Sequence, residues 1–164
     1  MSATTTRIMT SRHRTRALAG TFAVVLVMVS CAKGPPKPAK ATVTLAAAAD
    51  TNPDASGRAS PVVVRVYQLK TDTIFTGADF FALFDDDQKV LGPELIGRDE
   101  FVVAPSEKRT VDMAVSRTAR FVGIVAAFRD IRNAQWRVVV PAPLKNDDMT
   151  LAVERARVTF SPTK

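Results

Sequence analysis

The chain has 164 residues, a formal net charge of +7, one cysteine (Cys31) and one histidine (His13). A lone cysteine excludes an intrachain disulfide, and a lone histidine at the extreme N-terminus leaves a processed chain without a Ser-His-Asp triad, a Cys-His pair or a histidine metal site. Four of the 23 basic residues lie in the first 30, which leaves 19 against 16 acidic ones, a net +3 with no basic run interleaved with aromatics, so the charge does not argue for nucleic acid.

In chain order, the first segment carries Arg7, Arg12, Arg14 and Arg16 and no acidic residue, then an apolar run of 13 residues from Ala17 to Val29, then Ser30 and Cys31. A basic start, a short apolar run and a small residue compose a secretory signal, whether translation begins at Met1 or Met9. Val27-Met28-Val29-Ser30-Cys31 reads as a bacterial lipobox with Met28 where leucine is usual. Cleavage before Cys31 would leave its thiol to carry a diacylglycerol. The alternatives are an ordinary signal peptide or a spanning anchor, and 13 residues fall short of the roughly 20 that cross a bilayer. Ala32, in place of an aspartate after the cysteine, follows the sorting pattern of lipoproteins sent to the outer membrane of diderm bacteria. Setting 30 residues aside from 164 leaves 134, enough for one domain with its own core.

Residues 33–41 read KGPPKPAKA, whose three prolines and glycine disfavour helix and sheet. The expected organisation is a signal peptide over 1–30, the lipidated cysteine and an extended tether over 31–41, and one β-sandwich domain over 42–164. At about 3.1 Å per residue the tether reaches roughly 25–30 Å.

Beyond it, hydrophobicity alternates with period two. Strands are expected over 42–49 (Val43, Leu45 and Ala47 on one face), 61–69 (Val62, Val64, Val66), 101–103, 108–115 (Val111, Met113, Val115), 120–128, 136–140 and 150–160. Residues 120–128 are apolar on both faces, as in a central strand. The last strand changes phase, which a β-bulge near Glu154 would reconcile. One stretch departs from the pattern: Thr76-Gly77-Ala78-Asp79 resembles a capping box, and Phe80, Leu83 and Phe84 follow at helical spacing. A short helix over 77–85 and an irregular turn to Leu91 are expected, with the aromatics as a lid on the sheet. Seven or eight strands with one helical insertion make an all-β, two-sheet sandwich.

Several polar groups have a functional and a plain reading. Asp85, Asp86 and Asp87 lack the spacing of a calcium loop and read as a solvated helix end. Glu94, Asp99 and Glu100 read as surface-loop residues rather than an acid–base pair. Asn146, Asp147 and Asp148 read as a turn. Tyr67 and Trp136 are expected in the core or on a sheet face. Arg65, Arg129, Arg132 and Arg137 are candidates for one basic surface, with their places in space left open.

The segment Asn52-Pro53-Asp54-Ala55-Ser56-Gly57-Arg58-Ala59-Ser60-Pro61, running into Val62-Val63-Val64-Arg65-Val66-Tyr67-Gln68-Leu69, is the most distinctive in the chain. With the lipobox upstream it resembles the TssJ lipoproteins of the bacterial type VI secretion system. So do Asp79-Phe80-Phe81-Ala82-Leu83-Phe84-Asp85, the family's helical insertion, and Gly123-Ile124-Val125-Ala126-Ala127-Phe128-Arg129-Asp130 followed by Ala134-Gln135-Trp136-Arg137. Met28, and Ala59 where proline is frequent, depart from the pattern.

The resemblance implies a transthyretin-like sandwich with a helical addition, a lipid anchor in the periplasmic face of the outer membrane, and no catalysis. It implies binding to the periplasmic C-terminal region of TssM, in one complex with TssL. It places the TssM contact on the loop between the first two strands, here Asp50, Thr51, Asn52, Pro53, Asp54, Ala55, Ser56, Gly57 and Arg58. Loop composition fits: Pro53 sets φ, Gly57 permits a turn, and Asn52 and Asp54 can bond nearby backbone. Asp54 and Arg58 offer a partner one charge of each sign. By physics alone such a loop is as readily a solvated connector. No cofactor is expected beyond the lipid on Cys31, no metal and no catalytic residue. The alternative is a lipid-anchored module binding carbohydrate or peptidoglycan through Tyr67, Trp136 and carboxylates.

Overall fold

The computed structural model describes residues 37–143 and 147–163; the expected signal peptide, His13, Cys31 and the first half of the expected tether lie outside the described residues. Eight strands form two four-stranded sheets: β1 (Ala39–Ala47), β2 (Val62–Leu69), β3 (Leu95–Val103), β4 (Lys108–Val115), β5 (Phe121–Ala126), β6 (Arg137–Pro141), β7 (Asp147–Val153) and β8 (Val158–Pro162). The first sheet has the order β4-β1-β7-β8 and the second β3-β2-β5-β6. All pairings are antiparallel except β1 with β7.

Period two explains the sandwich. Val43 and Leu45 of β1, Val62, Val64 and Val66 of β2, Ile124 and Ala126 of β5 and Leu151 and Val153 of β7 point between the sheets and are buried together. Gln68 is the polar exception on that face. Its amide donates to Ala114 O at 2.9 Å and its oxygen accepts from Ser116 N at 2.8 Å, tying the second sheet to β4.

The outer face of the second sheet carries a smaller core. Tyr67 and Leu69 of β2 and Val125 of β5 are covered by α1 (Thr73–Gly77), α2 (Phe80–Asp85) and α3 (Asp87–Leu91), which bury Phe75, Leu83 and Leu91. Phe80 stacks on Phe84 at 5.2 Å and meets Trp136 edge-on at 5.3 Å. The aromatic stripe is thus a lid, as its spacing predicts.

Five local expectations need correction. β1 begins at Ala39, not Thr42, because Ala39 and Ala41 continue the inward alternation as soon as Pro38, which cannot donate to the ladder, is passed. β3 begins at Leu95, so Asp99 and Glu100 lie on an edge strand rather than a loop; their charges mask the alternation while blunting the edge. The phase change after Val153 is a hairpin, not a bulge: Val153 pairs with Val158, and Glu154 N bonds Arg157 O at 2.8 Å. Asp147 and Asp148, paired with Ala41 and Thr42 of β1, belong to β7 rather than to a turn; Asn146 lies outside the described residues. The helical insertion is three short helices. Asp79, not Thr76, caps α2 by accepting from Ala82 N at 3.0 Å, and the Thr76 hydroxyl turns back to Asp72 O at 2.8 Å.

Candidate functional site

The loop between β1 and β2 is built around two buried polar side chains. The Thr51 hydroxyl bonds Ala48 O at 2.8 Å and Val153 O at 2.9 Å, joining the end of β1 to the end of β7. Asn52 sits at φ 49°, a left-handed conformation that asparagine tolerates better than most residues. Its amide donates to Pro61 O at 2.7 Å and its oxygen accepts from Arg129 N at 2.8 Å, while its own N–H donates to Arg155 O at 3.0 Å. One residue, through its side chain and its own N–H, thus links the far end of the loop, the chain leaving β5 and the β7–β8 turn. Both side chains are buried and hydrogen-bonded, so they hold the loop in shape.

The tip carries a second lock. The Asp54 carboxylate accepts from Ser56 N at 2.9 Å, Arg58 N at 3.0 Å and Arg58 Nε at 3.1 Å. Asp54 N closes the turn on Arg58 O at 2.9 Å, and Gly57 takes φ 78° inside it. Asp54 and Arg58 therefore neutralise each other rather than offering two separate charges. Asp50 pairs with Arg155 at 3.6 Å. Pro53 is half-buried, whereas Asp50, Ala55, Ser56, Gly57 and Arg58 are exposed. The loop presents a rigid tip on a buried footing.

The Arg58 backbone N–H, joined by Ser56 N–H and the Arg58 guanidinium, outweighs a burial cost and holds the Asp54 carboxyl below its ordinary 3.8. A group whose folded value is depressed stabilises fully above its unfolded value and loses that contribution as pH falls through the folded one. The tip should accordingly stay closed at pH values where free aspartates already protonate. A carboxyl-carbon NMR titration is expected to place the Asp54 midpoint below 3.8; a midpoint at or above that value means the tip is open in solution.

The same end of the sandwich holds a cleft of about 640 Å³ between the loop, residues 128–133 and the β7–β8 turn. Pro53, Ala55 and Phe128 line it together with Arg129, Arg132 and Arg155 and the acids Asp54 and Asp130. The four candidate arginines thus split into two pairs. Arg65 and Arg137 sit under the lid. Arg65 donates to Glu100 and to Phe84 O, both at 2.6 Å, and Arg137 donates to Phe75 O and Ala78 O, both at 2.7 Å. They satisfy carbonyls at the ends of the short helices, where the backbone dipole favours a cation. Sequence spacing has no signal for this partition, because the partners are 19 to 62 residues away.

Two further candidates are structural. Asp87 is buried, paired with Arg98 and near Arg65 at 4.0 Å, so it is no solvated helix end; only Asp85 and Asp86 are exposed. Tyr67 is fully buried, with its hydroxyl donating to Leu83 O at 3.3 Å, and burial pushes its phenol up to about 12. Trp136 is half-buried against Phe80, with the Arg137 guanidinium 4.7 Å from its ring centre. Tyr67 therefore offers no face to a sugar. Among the described residues, no group of three or more Asp, Glu, His or Cys is placed to hold a metal ion, and no helix is long and apolar enough to cross a membrane.

Residues 39–156 match the family model described as type VI secretion lipoprotein, VasD, EvfM, TssJ. The crystal structure of the lipoprotein TssJ1 from Pseudomonas aeruginosa is similar, with 35% identity, a TM-score of 0.74, and coverage of 77% of this chain and 98% of that one. A chain of a structure described as a type VI membrane complex shares 29% identity at a TM-score of 0.68, covering 77% of this chain and 100% of that one. A chain of a structure described as the TssM C-terminal domain from EAEC shares 28% identity at a TM-score of 0.63, covering 76% and 98%. A search among curated proteins gives no match.

Proposed function

The chain belongs to the type VI secretion lipoprotein (TssJ) family, and from that premise we propose that it is a non-catalytic anchor of the secretion complex at the outer membrane. In this reading Cys31 carries the lipid, the domain faces the periplasm, and the β1–β2 loop binds the periplasmic C-terminal region of a TssM-type inner-membrane protein assembled with TssL. The protein needs no cofactor for this role. The observation that carries the reading is the doubly locked loop: a partner meets a tip already ordered by Asn52 and Asp54, so little conformational entropy is lost on docking. Similarity to a chain in a type VI membrane complex and to one in a TssM structure supports it. Two or more acyl chains, at about 0.8 kcal/mol per buried CH₂, suffice for stable anchoring. The tether then converts membrane attachment into a high local concentration for the partner.

The test is co-purification from membranes of the full-length chain with the TssM-type protein of the same genome. Replacing residues 52–58 by a Gly/Ser loop is expected to abolish capture while leaving membrane attachment intact, and Cys31→Ala to release a folded chain from the membrane and stop secretion. Capture that survives the loop replacement refutes the loop as the binding site. Normal secretion by Cys31→Ala refutes the anchor.

A further inference from the structure

The cleft beside the loop carries more than the loop does. Arg129 and Arg132 are exposed on its wall, and their guanidinium groups make no ion pair or side-chain hydrogen bond among the described residues. Every other arginine singled out in the second sheet or at this end is committed: Arg65 to Glu100, Arg98 to Asp87, Arg137 to helix carbonyls, Arg58 to Asp54 and Arg155 to Asp50. The nearest acidic neighbours form no direct ion pair with these two, although Asp54 feels Arg129 through space. Asp54 is engaged with Arg58, and the Asp130 carboxylate accepts from the Asn133 amide at 2.8 and 3.1 Å. Nor is the pair carried on a floppy segment. Arg129 N is fixed on Asn52 at 2.8 Å, and Asn133 N and Ala134 N close on Asp130 O at 3.2 and 3.1 Å. Two planar five-donor cations are therefore held in a cleft that is also lined by Pro53, Ala55 and Phe128 and by the acids Asp54 and Asp130.

We infer that this cleft is the second half of the partner site and receives a carboxylate-bearing segment of the protein partner, with Arg129 and Arg132 pairing its acidic side chains and Pro53, Ala55 and Phe128 taking the apolar stem. The inference rests on the function proposed above and adds the chemistry of the partner: an acidic anchor flanked by apolar atoms. Arginine suits that role because its fork grips a carboxylate in two bonds and is weakly hydrated, and a cationic cleft steers an anionic segment before contact. The same asparagine that orders the loop tip places Arg129, so loop and cleft form one surface.

The experiment measures association of the full-length chain in detergent with the purified periplasmic C-terminal region of the TssM-type protein, at two salt concentrations. Arg129→Glu/Arg132→Glu, two exposed positions, is expected to melt like the parent and to bind about 30-fold or more weakly at low salt. The parent's on-rate should fall more steeply with salt than the variant's. Parent-like binding and salt response by the double variant, with binding lost on loop replacement, overturns the cleft while the loop reading stands. No binding by the parent overturns both. Loss confined to phosphatidylglycerol vesicles, with partner binding unchanged, assigns the arginines to lipid and overturns the inference.

Discussion

Replacing Gly123 by alanine is expected to destabilise the domain by about 1–3 kcal/mol, although a glycine-to-alanine change in a strand would otherwise be neutral or stabilising. The reason is a single ring. A Cβ at Gly123 would lie 2.6 Å from Phe75 Cζ and 2.7 Å from Cε1, and Phe75 is fully buried. That ring is pinned from the side by Tyr67, 5.6 Å away and tilted 56°. It cannot retreat without lifting α1 and the Arg137 bonds to Phe75 O and Ala78 O. Phe75→Ala alone should cost about 3–5 kcal/mol through its cavity. The double variant should cost clearly less than the sum, because the added methyl then occupies emptied space. Urea unfolding of the four proteins gives the answer. A neutral Gly123→Ala, or strict additivity, would show that α1 moves freely over the sheet.

Asn52→Ala should be comparably costly, at about 2–4 kcal/mol. It leaves Arg129 N–H and Pro61 O at this buried site without their partners and forces a non-glycine, non-asparagine residue to hold φ 49°. Asn52→Gly keeps the backbone at ease and loses only the bonds, so the difference between the two substitutions isolates the strain. Asn52→Asp keeps the acceptor for Arg129 but loses the donor and sets a negative charge against Pro61 O. Beyond stability, the loop should lose its order, and partner affinity should fall by tenfold or more in variants that remain folded. Proteolysis of the native state at residues 53–59, followed over time, reads the opening directly. Equal resistance in Asn52→Ala and the parent would deny Asn52 its locking role.

Both predictions concern contacts between residues far apart in the chain, which marks where sequence reasoning ends. The valines of β2, the two-faced apolar run of β5 and the phenylalanines of α2 announce their elements because alternation and helical spacing are properties of a few neighbouring residues. The single cysteine after an apolar run, the single histidine and the NPDASGR loop are equally local. On that basis the sequence by itself determined an all-β sandwich with a helical lid and membership of its family. Local pattern failed where three charges stood in succession in a strand, at Arg98, Asp99 and Glu100 of β3, and where two strands met in a tight hairpin after Val153.

Only the tertiary structure decided what each polar side chain does. Asn52 and Arg129 are 77 residues apart, Thr51 and Val153 102, and Arg137 and Phe75 62. Such pairs depend on strand order and register, which bring β1, β5 and β7 to one end of the molecule. That is why Asn52, read from the chain as a loop residue able to bond nearby backbone, is the buried bolt of the site, and why Arg129 and Arg132 alone of the four candidate arginines reach the cleft. A hydrogen bond needs its two atoms within about 3 Å, and no local pattern specifies which distant segment the fold will place there.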